Sequence, residues 1–561
     1  MSNQDGDHKF IRQAREALNY QREWRQRNQI LYSYYDGDQW TAEEKEELET
    51  RHQQASVLNI TRPIVDMIMA LEQQRRTDRK VVARERTDED ISDVLTHLLK
   101  QIEDENSSTY FEAQAFRQAI IGGAGWLQYS EKKDSSGRSQ IIDHHVPWEE
   151  VFWDPFMRRP DAVDARYIIR RVWMDVAEAV ERWPGKKKEI ESEHHRLDIL
   201  FGQLDDEGVE FEGQEFKAQL ETAFFLSAED RQRIGISDHW YRDPKDDNKV
   251  HQVMYFGNIF LKGSEDGENP SPYENDFYPL VPCFASRKID GTPIGAIEIV
   301  RPIQDMLNKA NSKFQWTISS LRVLYESDAI HDENNLRDEI AKPNSLIPLN
   351  PGALAAGKIN ISDSFNESSH LMDWMQFLIQ MAQRSTGVND AVLGFGGVNA
   401  RSSIQESGRI IQGAQMQTSL IENLFFTKKQ AARVKLMLIG QFYTDERIVR
   451  VLGPGGEEKL LDINSRITSS ETGEQMPLNE IKDILKYDVV LTEVKPFDTV
   501  RQQSLQMLSE VAKAFPSPVF LKIFLENMDI PNKETYIKEF NQELSQGPAG
   551  AQGIASPGGQ T

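Results

Sequence analysis

The chain has 561 residues, a rough prior of three to four domains, with 39% apolar residues, a mean hydropathy of -0.58 and a formal charge of -24 from 89 acidic and 65 basic side chains. That acidity argues against tight, sequence-specific DNA binding, which draws on Lys and Arg to neutralise phosphates, but it is compatible with a protein that DNA must pass without sticking. A single cysteine, Cys283, excludes an internal disulfide framework and a cysteine-rich zinc site; no apolar run approaches about 18 residues and MSNQDGDHKF lacks the apolar core of a signal peptide, so the expectation is a soluble protein made and used inside a cell or a particle, with no membrane partner.

In chain order, residues 8–34 have helical periodicity, with an apolar stripe of Ile11, Ala14, Leu18, Ile30 and Leu31 and five arginines between Arg12 and Arg27. YYDGDQW is a turn around Gly37, and Thr41 with Glu44 forms a capping box opening a second helix. Pro63 suits the first turn of a third. Residues 88–120 are helical, and at IGGAGWLQYS the period shifts toward strand; 125–154 reads as strands and turns. YIIRRVWM is a strand, followed by a helix ending near Pro184, while 197–230 is charged and carries no clear pattern. In VHQVMYFGNIFLKG two apolar runs flank Gly257-Asn258, a two-residue hairpin signal, and a polar loop occupies 264–278. From 299 a long helix carries Ile299, Ile303, Leu307, Ala310, Phe314, Ile318 and Leu321 at steps of three or four; about 25 residues make a rod of roughly 37 Å. Residues 368–386 are helical, 403–443 is one long helix or two with a kink, YDVVLTEVKP is a strand, and 499–545 is mostly helix. The tail GPAGAQGIASPGGQT is Gly/Pro/Ser/Gln-rich, the composition of a disordered segment.

The chemistry on offer is thin. GALAAGK at 352–358 has most of a phosphate-binding P-loop, but Ile359 supplies no hydroxyl for magnesium, and INIS alternates like a strand where a helix N-terminus is needed. Asp488 with Glu493 and Lys495 is too short and common a pattern to define a nuclease site. His144-His145 and His194-His195 are adjacent pairs, and strand neighbours point to opposite faces, so neither pair chelates well. In GFGGVNARSSIQESGRIIQG, Ser403 and Glu406 form a capping box whose free N–H groups a phosphate would have to contest, with no supporting lysine nearby; the glycines read better as a turn launching a helix than as a phosphate cradle. No catalytic residue, cofactor site or metal site is expected.

Taken in order, YYDGDQW followed by LNITRPIVDMIMALEQQRRTDRK, VPWEEVFWDPFMRRPDAVDARYIIRR, GAIEIVRPIQDMLNKANSKFQWTIS with Gln304, Asn308 and Ser312, and STGVNDAVLGFGGVNARSSIQESGRIIQG resemble segments of the portal proteins of tailed double-stranded DNA bacteriophages, most like those of short-tailed phages. The chain departs from the family pattern at Ser402-Ser403, where Ser-Gly is common. The resemblance implies an α+β, mainly α-helical portal fold with wing, stem, clip and crown, assembled as a ring, usually of twelve copies, with a central channel at one capsid vertex, and without catalytic activity. It implies partners in terminase, then a head–tail adaptor or tail protein, in capsid and scaffolding protein, and in double-stranded DNA passing non-specifically; the protein would be in the host cytoplasm during assembly and in the virion afterwards. On this reading 1–196 is the N-terminal part of the wing, 197–234 leads from wing to stem, and 235–293 is the clip with its hairpin at Gly257 and Asn258. The stem helix is 294–325, and 326–346 is a candidate tunnel loop, for which an ordinary solvated surface loop is the alternative reading. Its candidate channel-lining residues are Glu326, Asp328, Asp332, Glu333, Arg337, Asp338, Glu339 and Lys342. The C-terminal part of the wing is 347–498, including the helix 403–443; 499–545 forms crown helices and 546–561 a disordered tail. The competing readings are a terminase-like packaging ATPase or nuclease, which would need an intact Walker motif and an acidic metal cluster, and another capsid or tail structural protein.

Overall fold

The computed structural model describes residues 8–74, 77–84, 89–191, 233–265, 269–274, 276–319, 322–330, 332–340, 348–362, 365–387, 417–445, 447–452, 458–468, 475–478 and 486–493. Helices and strands are mixed, an α+β architecture. The chain divides into two compact units, one of Met1–Leu71 with Arg79–Leu491 and one of Glu72–Asp78 with Thr492–Thr561; of the second, only 72–74, 77–78 and 492–493 are described.

The first unit begins with α1 (Lys9–Asp36), whose N-terminus is capped by His8 Nδ1 accepting from the Ile11 N–H at 3.3 Å. Its buried stripe is Phe10, Ala17, Gln21, Trp24, Asn28, Leu31 and Tyr34, at helical spacing. Ile11 is buried with it, whereas Ala14, Leu18 and Ile30 are half-buried at its margins. The two polar members are placed for a reason that is clear at Gln21, whose amide donates to the Trp153 carbonyl at 3.1 Å; Trp24 beside it donates to the Gly122 carbonyl at 3.0 Å. The helix ends on Gly37, left-handed at φ 97°, and the capping box then opens α2 (Ala42–Thr50), with Thr41 and Glu44 exchanging two 3.2 Å bonds. α3 (Thr61–Gln74) takes Pro63 in its first turn, where Asn59 Oδ1 accepts from the Thr61 N–H at 3.0 Å.

Residues 88–120 hold two helices, α4 (Glu89–Asn106) and α5 (Ser108–Gly122), broken at Ser107, which is left-handed at φ 54°. Before them β1 (Thr77–Ala83) pairs with β18 (Tyr487–Glu493) at the far end of the chain. The glycine-rich IGGAG then makes the shift from helix to strand. Gly123 caps α5 at φ 97°, and a Cβ on Gly125 would sit 1.9 Å from the Ala115 carbonyl oxygen, so α5 folds back tightly on the strand that follows. That strand, β2 (Ala124–Lys133), is the centre of an antiparallel sheet between β3 (Ser139–Val146) and β9 (Leu280–Phe284), with Trp126 opposite both Val146 and Pro282.

A second, five-stranded antiparallel sheet runs in sequence order: β4 (Val151–Trp153), β5 (Tyr167–Asp175), β6 (Arg233–Asp243), β7 (Lys249–Phe256) and β8 (Ile259–Lys262). The short helix α6 (Val176–Arg182) follows β5 and ends just before Pro184. The Gly257-Asn258 hairpin joins β7 to β8 as the sequence suggests, with Gly257 at φ 54°. The segment 235–293 does not, however, form a lobe of its own. Its strands β6–β8 extend the sheet begun by β4 and β5, and β9 completes the sheet of β2. Strand pairing is a long-range choice that the local pattern of 235–293 does not carry.

After a small hairpin, β10 (Ser286–Arg287) and β11 (Pro293–Ile294), come α7 (Ala296–Ser319), β12 (Arg322–Tyr325), α8 (Glu333–Ile340), β13 (Ile359–Ser362) and α9 (Phe365–Thr386). α10 (Thr418–Phe442) covers the β9–β2–β3 sheet, and the hairpins β14 (Arg447–Leu452) with β15 (Glu458–Ile463) and β16 (Ser465–Thr468) with β17 (Gln475–Leu478) follow. One large core draws on α1, α3, α4, α5, the three-stranded sheet, α7, α9 and α10, from Trp24 and Ile68 to Leu378 and Leu436.

Candidate assembly and channel surfaces

α7 and α9 form an antiparallel pair that shares the main core. β12 and β13 pair antiparallel with Arg322 opposite Ser362, so the end of α7 meets the start of α9 and the two helices run antiparallel against each other. α7 continues through Pro302, which has no N–H to return to the preceding turn. Of the apolar residues expected to make its seam, Ile303, Leu307 and Ala310 are buried and Phe314 packs on the core, but Ile299 and Ile318 are exposed. Ile297 and Val300 take inward positions, and with them a polar row, Gln304, Asn308 and Ser312, at steps of four.

That row latches the chain segment before α3. Gln304 accepts from the Ile60 N–H at 3.0 Å and donates to the Leu58 carbonyl at 2.9 Å; Asn308 accepts from the Leu58 N–H at 3.2 Å and donates to Gln39 at 2.6 Å. Asn311 adds a 3.0 Å bond to Ser56. A strand-like segment without a partner strand presents bare backbone groups, and buried amides satisfy them. This gives a structural role to two of the three polar residues that carried the sequence resemblance on this helix.

Between α7 and α9 the described residues of 322–362 make a small lobe. Ala329, Ile330, Leu336 and Ala353 form a small core with Ile359 packed on it, distinct from the main one. The stretch 326–342 is therefore not simply a loop: Glu333–Ile340 is a helix that buries Leu336 in the lobe. Of the candidate channel residues, Glu326, Asp328, Asp332 and Glu333 are exposed and Glu339 is half-buried. Arg337 and Asp338 lie on α8, with side chains outside the described set, and Lys342 lies outside the described residues. Lys358, the lysine of the P-loop-like stretch, pairs with Asp328 and lies 3.4 Å from Glu326. The hydrogen bond between Lys358 and Asp328 holds that carboxyl below, and the ammonium above, its ordinary value. The residue after Lys358 opens β13 and not a helix, so the stretch has no phosphate-binding geometry.

Other residues singled out in the sequence have structural employment. His144 and His145 sit side by side on β3, and burial lowers both imidazole pKa values. At Asp488 burial works to raise the carboxyl pKa, but the Arg433 guanidinium, 2.9 Å away, outweighs it and keeps the group below its ordinary value. Glu493 ends β18, while Lys495, His194, His195, the glycine-rich turn at 394–413 and the segments 499–545 and 546–561 lie outside the described residues. Among the described residues no three His, Cys, Asp or Glu side chains converge as a metal site, and no helix is long and apolar enough to cross a membrane.

Sequence reading did not find the charge cluster that ties α10 to the core. Arg79 on β1 is buried and pairs with Glu103 of α4 and Glu112 of α5; Lys435 of α10, fully buried, lies 2.7 Å from Asp143 of β3, 3.5 Å from Glu103 and 2.9 Å from Ser108 Oγ. Burial alone would raise the Glu112 carboxyl, but Arg79, with Lys428 and Lys435 behind it, outweighs burial and holds it below the usual carboxylate value. The only sequence signal is two lysines seven residues apart, Lys428 and Lys435, on the otherwise apolar face of α10.

By comparison with known proteins, the chain belongs to the phage P22-like portal protein family, whose model matches residues 11–557. It is similar to the portal protein of Helicobacter pylori bacteriophage KHP30, with 21% identity over 513 residues that cover 89% of this chain and 76% of that protein. The family is structural, not catalytic, and a phage portal role at the capsid vertex follows.

Proposed function

We propose that the chain assembles as a ring, of twelve copies, at the unique capsid vertex, and that double-stranded DNA is packaged and ejected through its centre. The observation that carries this is the family match across nearly the whole chain, 11–557. The net charge of -24 fits it physically, because a wall of DNA's own sign has little tendency to bind what slides past. In this reading the ring nucleates procapsid assembly with capsid and scaffolding protein, docks the terminase during packaging, and later holds a tail or adaptor protein. Negative-stain images of the purified protein test it: twelve-fold rings with a central hole are expected, and sheets, shells or long tubes refute it.

The docking end is better assigned to 322–362 than to 235–293. An end lobe with its own small core can meet successive partners without disturbing the body, whereas 235–293 is woven into two sheets of the body. The body carrying these sheets then corresponds to the wing, α7 with α9 to the stem, and the lobe to the clip. Replacing 326–358 with a short Gly/Ser linker should leave rings intact and abolish terminase binding; undiminished binding by such rings rules the assignment out. The acidic residues of the lobe, Glu326, Asp328, Asp332 and Glu333, would then recur around the ring as a negatively charged collar.

A further inference from the structure

α1 is held in two separate cores. Trp24, Leu31 and Tyr34 of its C-terminal half pack in the main core, whereas Phe10, Ile11 and Ala17 join a smaller one on the five-stranded sheet, with Tyr167 of β5, Tyr241 of β6 and Tyr255 of β7. The smaller core encloses an imidazole. His239 of β6 is fully buried, with the rings of Phe10, Tyr167 and Tyr255 at 5.1, 5.5 and 5.9 Å. Hydrogen bonds tie it to the helix: the Tyr255 hydroxyl donates to the Phe10 carbonyl at 3.2 Å, which leaves only its oxygen for His239 Nδ1, 3.3 Å away. Nδ1 therefore carries the ring's proton, and Nε2 is a bare, buried acceptor without a partner among the described residues.

We infer that the N-terminal half of α1 is an acid-released latch: protonation of His239 expels residues 9–18 from the five-stranded sheet, while residues 24–34 stay in the main core. A second proton on the ring puts a full charge among aromatic groups, which is costly without a counter-ion. The titratable groups that face it are the phenols of Tyr167, Tyr241 and Tyr255 and, from the start of α1, His8 and Lys9, whose ammonium lies over the Phe10 and Tyr241 rings. Glu16 is engaged by the Tyr167 hydroxyl and Arg166, and Glu265 by the Lys9 N–H. Burial first, then His8 and Lys9, push the imidazole down to about 3 from its ordinary 6.5. His8 opposes charge in its own way. Its Nδ1 accepts from the Ile11 N–H at 3.3 Å and its Nε2 lies 3.1 Å from the Gly257 carbonyl, a pairing that fits only the neutral ring. It caps the positive end of a helix with no acidic residue in its first turn. Release lets the His239 imidazole take its proton in water. The docked form binds that proton less tightly, so docking is at full strength above about pH 6.5 and weakens about tenfold per unit as the pH falls from there toward 3. Between pH 7 and pH 5 the released fraction rises roughly twentyfold, and the aromatic face of the sheet is bared.

Hydrogen exchange of the full-length protein at pH 7 and pH 5 tests this, with each rate divided by the chemical rate of an open amide at the same pH. In the wild type, peptides covering 9–18 should exchange at least about tenfold faster at pH 5 than at pH 7, and peptides covering 24–34 should not change. His239→Phe keeps a ring that takes no proton, and should respond to acid at most about a third as strongly. Tyr255→Phe removes the bond to the Phe10 carbonyl, and should speed exchange of 9–18 at both pH values while leaving their ratio as in the wild type. Wild-type exchange of 9–18 that is the same at both pH values overturns the latch, and that measurement needs no variant to fold. A rise shared equally by 24–34, or a His239→Phe protein that responds to acid as strongly as the wild type, overturns it as well.

Discussion

Replacing Lys435 with Met keeps an unbranched side chain one atom shorter and removes its charge from the middle of the cluster. In the native protein the ammonium is fully buried, 2.7 Å from Asp143, itself buried, and bonded to Ser108 at 2.9 Å. The substitution leaves Asp143 as a buried carboxylate without its counter-ion, and breaking such a pair from one side costs about 3–5 kcal/mol. Against a typical net stability of about 5–15 kcal/mol that is a large fraction. At about 2–4 °C per kcal/mol for a large domain the melting temperature should fall by roughly 10 °C. Thermal unfolding followed by circular dichroism at neutral pH measures it. Adding Asp143→Asn to Lys435→Met removes the stranded charge and should recover part of the loss. The reasoning fails if Lys435→Met melts within about a degree of wild type, or if the double variant is no more stable than the single one.

The same cluster makes stability pH-dependent. Glu112 is held below its ordinary value of 4.5, so its contribution is complete above that pH and is lost as the pH falls through the lower folded value; acid titration should show Glu112→Gln flattening this limb. Gly125→Ala would drive a Cβ to 1.9 Å from the Ala115 carbonyl oxygen, backbone against backbone, and should destabilise the α5–β2 junction by more than about 2 kcal/mol in urea unfolding. Asn311→Pro breaks the interior of α7 and the bond to Ser56, at about 3 kcal/mol or more; normal rings and normal DNA packaging by this variant would contradict the stem role of α7. Asp332→Lys with Glu333→Lys should add phosphate contacts and slow DNA movement at low salt, with relief at high salt; unaltered packaging and ejection by intact rings would leave these residues as ordinary lobe surface.

What could be read from the sequence was what local chemistry decides. The Thr41–Glu44 box, the Gly257-Asn258 hairpin and Pro63 in a first turn each depend on neighbours within a few residues. What could not be read depends on partners far away. β9 lies beside β2 and β6–β8 beside β5, so a segment that looked self-contained is shared between two sheets. On α7, hydrophobicity alone selects Ile299 and Ile318, which face outward, over Gln304 and Asn308, which face inward, because the surface they meet is bare backbone at Leu58 and Ile60. α8 was hidden by its charge: only Leu336 and Ile340 are apolar among its eight residues, and Leu336 alone is seen to anchor it in the lobe core. The buried ions are legible only in hindsight, since a lysine on a helix is usually at the surface.

The pairing of β1 with β18 joins strands whose first residues, Thr77 and Tyr487, are 410 positions apart. During synthesis at about 5–20 residues per second, the ribosome needs roughly 20–80 s between delivering β1 and delivering β18. Lys435 also leaves the tunnel long after Arg79, Glu103 and Glu112. Until then the nascent chain holds its early helices with their charges still hydrated and with β1 lacking its partner strand, and the native body can close only after Tyr487–Glu493 has been made.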